Sequence, residues 1–407
     1  MYSERRVRAY TLSTTDIADE WKRVGNSRDA FDVRRVLRAE QIDAQSLGEK
    51  DVRVRVLIVS AEYNVVHAAL ADVVDIAAAH GGKHYPGNSF LGEVIEVGAH
   101  VSNVRLGDVV VPSGTSVYDA YGYPERTWGF DDSRRGCYAE EVVLPASMLH
   151  HAPLGCGLDL WQLAVLPLRA GNAYHMWRRA HDIFRAKVSR ERLAYLNVMA
   201  FGGGVSELFL MMAHAEGHET VYCAGTAARR AHMESLGIRT IDQKEFNRFA
   251  TDADIRRFGV RIRRMTRGTN MNIVCDMFRG RVFAAGLVAM SKEGVNISSG
   301  WQLDTNVNYN SSLLSLKQIT LDHAHVETSL AAPAVASLFG RVLRPLVHPR
   351  IYSFAELPEA IDDLCHGRHE GFAAIQVAAR LPEQLLALTR VNARTPVGLE
   401  RGVVNPV

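Results

Sequence analysis

Three consecutive glycines are the residues of this sequence best placed to hold a ligand. They lie in Leu196-Asn197-Val198-Met199-Ala200-Phe201-Gly202-Gly203-Gly204-Val205-Ser206, where an apolar run enters the turn and a helix-forming run leaves it. A strand–glycine–helix turn is where a backbone comes close to a diphosphate. Glycine has no Cβ to hold the phosphates off, and the first helical amides offer free N–H groups and partial positive charge. Read as G-x-G-x-x-G from Gly202, the pattern is met at Gly204 and broken three residues later by Glu207. A tight turn with no ligand is the plain alternative. We assign Gly202, Gly203, Gly204, Val205 and Ser206 to cofactor binding. The next strand ends in Cys223-Ala224-Gly225-Thr226-Ala227-Ala228-Arg229-Arg230, without the acid that would hold a ribose hydroxyl pair. Arg229 and Arg230 suit a 2′-phosphate, which a guanidinium binds through paired hydrogen bonds. The expected cofactor is therefore NADPH rather than NADH, and at least one of the two arginines is expected to be an ordinary solvated charge.

The elements that must position this turn follow from the pattern on either side of it. Strands are expected over 193–200, 219–224, 271–276, 294–299 and 318–325, with helices over 205–215, 227–236, 252–267, 281–290 and 333–342. That alternation predicts a doubly wound parallel sheet covered on both faces, an α/β fold. The first third reads as β-rich. Arg53-Val54-Arg55-Val56-Leu57-Ile58-Val59 alternates and then turns continuously apolar, and short strands are expected near 91–97, 108–111 and 138–144. Residues 113–135 read as one long loop. Residues 354–365 are expected to be helical, 372–377 extended and returning to the first domain, and the tail after Arg390 loose.

Composition limits the function. Over 407 residues, 47 basic and 45 acidic side chains leave a formal charge of +2, which gives no general reason to expect nucleic acid or an anionic membrane as partner. No apolar run reaches the roughly 18 residues a bilayer requires, and the N-terminus lacks a signal-peptide core. The five cysteines are scattered and never two residues apart, which argues against a disulfide framework, a zinc ribbon or a redox dithiol. We expect a cytoplasmic protein with reduced thiols. His80 and His84 are separated by glycines that oppose a helix, and no G-x-S-x-G elbow is present.

With Leu91-Gly92-Glu93-Val94-Ile95-Glu96-Val97-Gly98 and Leu106-Gly107-Asp108-Val109-Val110 before the glycine turn, the chain resembles the medium-chain dehydrogenase/reductase superfamily. Within it the resemblance is to crotonyl-CoA carboxylase/reductases, through Tyr63-Asn64-Val65-Val66, Arg126-Thr127-Trp128-Gly129-Phe130-Asp131, Ile241-Asp242-Gln243-Lys244-Glu245-Phe246 and Leu316-Lys317-Gln318-Ile319-Thr320-Leu321-Asp322-His323. The resemblance implies a GroES-like catalytic domain over 1–165, completed by 346–407, and a Rossmann domain over 166–345. It implies hydride transfer from NADPH to an α,β-unsaturated acyl thioester, with carbon dioxide captured on the enolate. Asn64, Phe130, Asp131 and His323 are then the catalytic residues, and Lys317 is assigned to substrate phosphates. Asp131 stands where the family has Glu, one methylene shorter. Ala200 and Ser206 replace family glycines, Arg169 and Asn172 depart from the stretch at the nicotinamide, and Ser315 stands where an arginine is usual. No zinc site of the family's kind can be assembled. The substrate is expected on CoA or an acyl carrier protein, in an interdomain cleft, and the assembly is expected to be a homodimer or homotetramer. Two further readings keep the scaffold: non-redox enolate chemistry, and a non-catalytic nucleotide-binding or scaffold protein.

Overall fold

The structure, a computed structural model, describes residues 5–121, 124–188, 196–302, 307, 309–324 and 332–390. The described residues fall into two compact units: one drawn from Met1–Leu168, Glu327–Gly340 and Val347–Arg394, the other from Arg169–Val326 and Arg341–Leu346. The tail after Arg390 lies outside the described residues.

In the first unit, the strand Asp51–Ser60 is the axis of a seven-stranded sheet. It pairs antiparallel with Phe90–Val97, with Glu141–Pro145 and with Ala374–Gln376 from near the end of the chain. Its Val52, Val54, Val56, Leu57, Ile58 and Val59 are all buried. An alternating half followed by a continuously apolar half is what a strand covered first on one face and then on both requires. A three-stranded sheet of Arg38–Asp43, Arg6–Ser13 and Lys83–His84 stands beside it.

Two helices lie where the sequence reads only as β-rich, and one expected loop is not a single loop. Thr14–Arg23 is helical, started by the Ser13 hydroxyl accepting the Asp16 amide. Tyr63–Leu70 is a helix closed by Ala71 at φ 47°, although its run of Val and Ala also suits a strand. The 113–135 stretch is not one loop, because Thr115–Tyr118 and Pro124–Thr127 pair as a hairpin with irregular register. Those register shifts break the period-2 pattern that would have announced it.

The loop after that hairpin is anchored by Trp128, which has no exposed surface. Its indole N–H donates to the Arg135 carbonyl at 2.9 Å, and its ring meets Phe90 edge-on at 5.9 Å. Gly129, at φ 68°, lies so close to the Gly87 carbonyl that a Cβ could not fit.

The second unit is built on a six-stranded parallel sheet. Its spatial order is Arg239–Asp242, Glu219–Ala224, Asn197–Phe201, Met271–Cys275, Met290–Ser298, Thr320–His323. By chain order within the sheet this is 3-2-1-4-5-6, so the strand order reverses between Asn197–Phe201 and Met271–Cys275, which leaves a crevice at their carboxyl ends. The core of this unit packs Phe201, Phe249 and Phe258 with Ile255, Ile262, Val274 and Phe283.

Trp128→Ala removes a fully buried indole and its hydrogen bond. The expected cost is about 3–5 kcal/mol, read by denaturant unfolding, with the 128–131 loop the first segment to lose amide-exchange protection.

Candidate dinucleotide site and the residues around it

The glycine turn sits at the switch point of the parallel sheet. Gly202 and Gly204 have φ of 70° and 72°, the left-handed backbone that glycine alone adopts without strain. Gly202 is also covered by the Phe278 ring, so a side chain there would collide with it. Gly204 faces open space and is the N-cap of the helix Val205–Ala215, whose first turn has no side-chain cap. Uncapped amides beside an open glycine form a cradle for phosphate oxygens, so Gly202–Ser206 fit a diphosphate.

Glu207, where the third glycine would stand, is fully buried. Its Oε1 accepts from the Tyr222 hydroxyl at 2.8 Å and from the Arg229 guanidinium at 2.5 Å. Burial, and then the neighbouring carboxylate, push the Tyr222 phenol well above its ordinary range and keep it a donor. Arg229 is drawn over the turn, where a Cβ on Gly203 would lie 2.6 Å from its Nη1. Arg230 donates to the Ala224 carbonyl at 2.8 Å and to Asp242 at 2.7 Å. Both arginines are therefore paired with acids that their own segment does not contain, and neither is the solvated charge expected of one of them.

The other wall of the crevice carries groups that the sequence pattern does not announce. Asp276 follows the strand Met271–Cys275 and is fully buried. Its Oδ1 accepts the amides of Phe278 (2.8 Å) and Arg279 (3.3 Å), and its Oδ2 has no partner among the described residues. Burial raises its pKa. Arg279 is 4% exposed at φ 64°, ψ −158°, a backbone region that costs a non-glycine residue about 1–3 kcal/mol. Its guanidinium makes no ion pair among the described residues. It lies over Phe283 at 5.4 Å, with Nη2 3.0 Å from both ring nitrogens of His323. Only the departure of Asp276-Met277-Phe278-Arg279 from a helix start could have pointed there.

His323 ends the strand Thr320–His323 and is exposed. Partial desolvation, and then Arg279, lower its pKa, so the imidazole is neutral at neutral pH. The preceding Asp322 is held by Arg179 through two hydrogen bonds of 2.5 and 2.8 Å. Lys317 is a helix cap here: its ammonium donates to the Val288 (3.0 Å) and Met290 (2.7 Å) carbonyls at the end of Gly280–Ala289. Half burial lowers its pKa. Asn172 donates to Ser299 at 2.8 Å, and Arg169 is buried.

In the first unit, Asn64 follows the strand Asp51–Ser60, and Phe130 and Asp131 follow Gly129, which packs on the segment leading into Phe90–Val97. Asn64 lies in the helix that follows the strand ending at Ser60, and its buried Oδ1 has no partner among the described residues. The Ser60 amide donates to Ser89, next to Asn88, whose two side-chain amide atoms are both buried with no partner among the described residues. Gly129 packs on Asn88, with Phe130 beside it partly buried against the core. The Asp131 carboxylate accepts the Thr127 amide at 2.5 Å. Among the described residues no group of three or more His, Cys, Asp or Glu side chains could hold a metal ion, and no helix is long and apolar enough to cross a membrane.

Residues 48–154 match the alcohol dehydrogenase GroES-like domain. The chain is 25% identical to a crotonyl-CoA reductase of Streptomyces collinus, covering 89% of this chain and 86% of that protein. It is 23% identical to a zinc-type alcohol dehydrogenase-like protein of Schizosaccharomyces pombe, covering 72% and 82%. Its fold is shared with the crotonyl-CoA carboxylase/reductase AntE, solved in complex with NADP, at a TM-score of 0.76 and 20% identity over 93% of this chain and 96% of that one.

Two measurements test these contacts. Glu207→Ala leaves the Arg229 cation buried without a counter-charge and is expected to cost about 3–5 kcal/mol, with the Glu207→Ala/Arg229→Ala pair costing clearly less than the sum of the two single changes. Arg279→Gln removes a positive charge beside His323, so the imidazole titration followed by NMR is expected to move upward toward about 6.5. The chain thus carries an alcohol dehydrogenase GroES-like domain over residues 48–154, shares its fold with a crotonyl-CoA carboxylase/reductase, and is similar over most of its length to a crotonyl-CoA reductase.

Proposed function

We propose that the chain is a zinc-independent, NADPH-dependent reductase of an α,β-unsaturated acyl thioester. The observation that carries this is the uncapped, glycine-opened helix start at the switch point of a 3-2-1-4-5-6 parallel sheet. The likeness to a crotonyl-CoA reductase supports the thioester substrate. NADPH, when bound, supplies a hydride to the β-carbon of the conjugated acyl group.

The chain's own residues do the rest. The amides of Gly202–Ser206 receive the diphosphate, and Arg229 and Arg230, each held by an acid, border the adenosine end. Arg279 supplies a buried positive charge beside His323. Hydride addition leaves an enolate, and the groups assigned to it are His323, neutral at rest, and Asn64, whose amide oxygen has no partner among the described residues. Protonation at the α-carbon completes a reduction, whereas bond formation there to carbon dioxide completes a carboxylation. Phe130 and Asp131 are assigned to that choice. We assign the protein to the cytoplasm, to an acyl-CoA or carrier-bound substrate, and to a homodimer or homotetramer.

The test is NADPH oxidation followed with crotonyl-CoA. The proposal requires turnover, with His323→Asn lowering kcat by about a hundredfold or more while NADPH binding persists. NADPH binding without oxidation across enoyl thioesters sinks the redox step and leaves enolate chemistry. No NADPH binding makes the glycine turn structural and the protein a scaffold.

A further inference from the structure

The helix Asp252–Met265 carries a pattern that the reductase reading does not use. Its inner face buries Ile255, Phe258 and Ile262 in the aromatic core of the second unit. Gly259 lets it lie directly against Val288 of the helix Gly280–Ala289. A capping box of Thr251 and Asp254 fixes its start. The helix cannot roll, so its outer face is defined.

That face is arginine. Arg256, Arg257, Arg261, Arg263 and Arg264 are exposed, with Arg267 just beyond the helix end, and Val260 is half-exposed in their midst. Positions 256, 260, 263 and 267 form one ridge at helical spacing, and 257, 261 and 264 form the next. The helix's two acids are both at its start and already engaged, Asp254 with Arg257 at 2.8 Å and Asp252 with Arg281 at 2.7 Å. Arg256, Arg261, Arg263, Arg264 and Arg267 make no ion pair among the described residues. Arginines three and four apart, such as 257/261, 261/264 and 263/267, repel one another. The attraction of cations to a helix C-terminus accounts for Arg263 and Arg264. It does not account for Arg256 and Arg261, and folding gains nothing from the crowding.

In a chain of net charge +2, this is a local field rather than a general basicity. Stacking of unpaired bases needs exposed aromatic rings, and the helix's one aromatic, Phe258, is buried. A membrane-surface helix needs an outward apolar face, and here that face is spent on the core. What fits is a folded, acidic protein surface: carboxylates opposite the guanidiniums, with a small apolar contact at Val260. The helix runs antiparallel to the strands, as a crossover between parallel strands must, so its start lies toward the edge of the sheet that carries the glycine turn and His323.

We propose that this arginine face docks an acidic acyl carrier protein, so that the enoyl group arrives on a carrier arm rather than on free CoA. The proposal deepens the reductase reading and rests on it for the identity of the cargo. Docking sets affinity for the carrier and leaves the chemistry of the bound thioester unchanged.

The full-length chain is titrated with a purified acyl carrier protein bearing a crotonyl thioester, and KM is measured separately for that substrate and for crotonyl-CoA. The variant is Arg256→Glu/Arg261→Glu/Arg263→Glu, with the milder triple Arg→Gln as a second in case charge reversal perturbs folding. The expected result is carrier binding that weakens steeply with salt and falls at least about tenfold in the Glu variant, while KM for crotonyl-CoA and NADPH binding are unchanged. Failure of the carrier to bind at low salt, or equal binding by wild type and both variants, overturns the docking even if crotonyl-CoA is reduced. Tighter binding to duplex DNA or to anionic phospholipid vesicles than to the carrier also overturns it. Salt-sensitive, arginine-dependent carrier binding without reduction of either thioester upholds the docking and sinks the reductase reading instead.

Discussion

A carboxylate sealed from water sets the electrostatics of the candidate cofactor site. Glu207 occupies the position at which the dinucleotide turn ordinarily has its third glycine, whose absent side chain lets helix and strand pack closely. Here the space is filled by a charge that cannot stay buried alone. Tyr222 from the neighbouring strand and Arg229 from the following helix both close on it. The contact between helix and sheet that glycine makes by absence is made instead by two hydrogen bonds. One consequence reaches the ligand: the guanidinium recruited to balance Glu207 is laid over Gly203. The helix start at Gly204 keeps no side-chain cap, and its neighbouring cation is internally neutralised.

The opposite wall has the complementary imbalance. Among the described residues Arg279, buried in a strained backbone conformation, has no carboxylate in ion-pair contact, and one buried Asp276 oxygen has no donor. Buried charges and orphaned polar atoms cost stability unless something offsets them, and strain of this kind collects at functional sites. The second unit thus gives up stability at the carboxyl edge of its fourth strand, beside His323.

The sequence made legible those features that depend on local pattern. The parallel sheet follows from alternating apolar runs and helices, and the glycine turn from eleven contiguous residues. The hairpin of Thr115–Tyr118 with Pro124–Thr127 was hidden because its irregular register breaks the alternation that signals a strand. The site residues that escape a sequence reading are those defined by contacts between distant segments. Glu207 reads as a broken motif, and its meaning depends on Arg229, two elements later. Arg279 has meaning only through His323, on the far strand of the sheet. Lys317 shows the converse. In a Lys-Gln pair before a strand it suggests a substrate ligand, and the structure spends its ammonium on the carbonyls that end an earlier helix. No local pattern distinguishes a lysine that caps a helix from one that awaits a phosphate.

Contacts of the same local kind bear on the fate of the enolate in the proposed reaction. Asp131 is one methylene shorter than the glutamate of the resembled family, and its carboxylate closes its own loop by accepting the Thr127 amide while its own amide returns to the Thr127 carbonyl. That reciprocal closure suits the short side chain. A glutamate held by the same backbone would carry its carboxylate about one bond length further, out of the turn and free to fix a neighbouring group. Asp131 is thus drawn inward as a latch on the loop that Trp128 anchors. Reduction needs a hydride donor, a bound thioester and a proton, none of which depends on that reach. Carboxylation adds the demand that a neutral gas be held beside the enolate against competing water. In the reaction we propose, an Asp131 that closes its own turn favours protonation of the α-carbon over carboxylation.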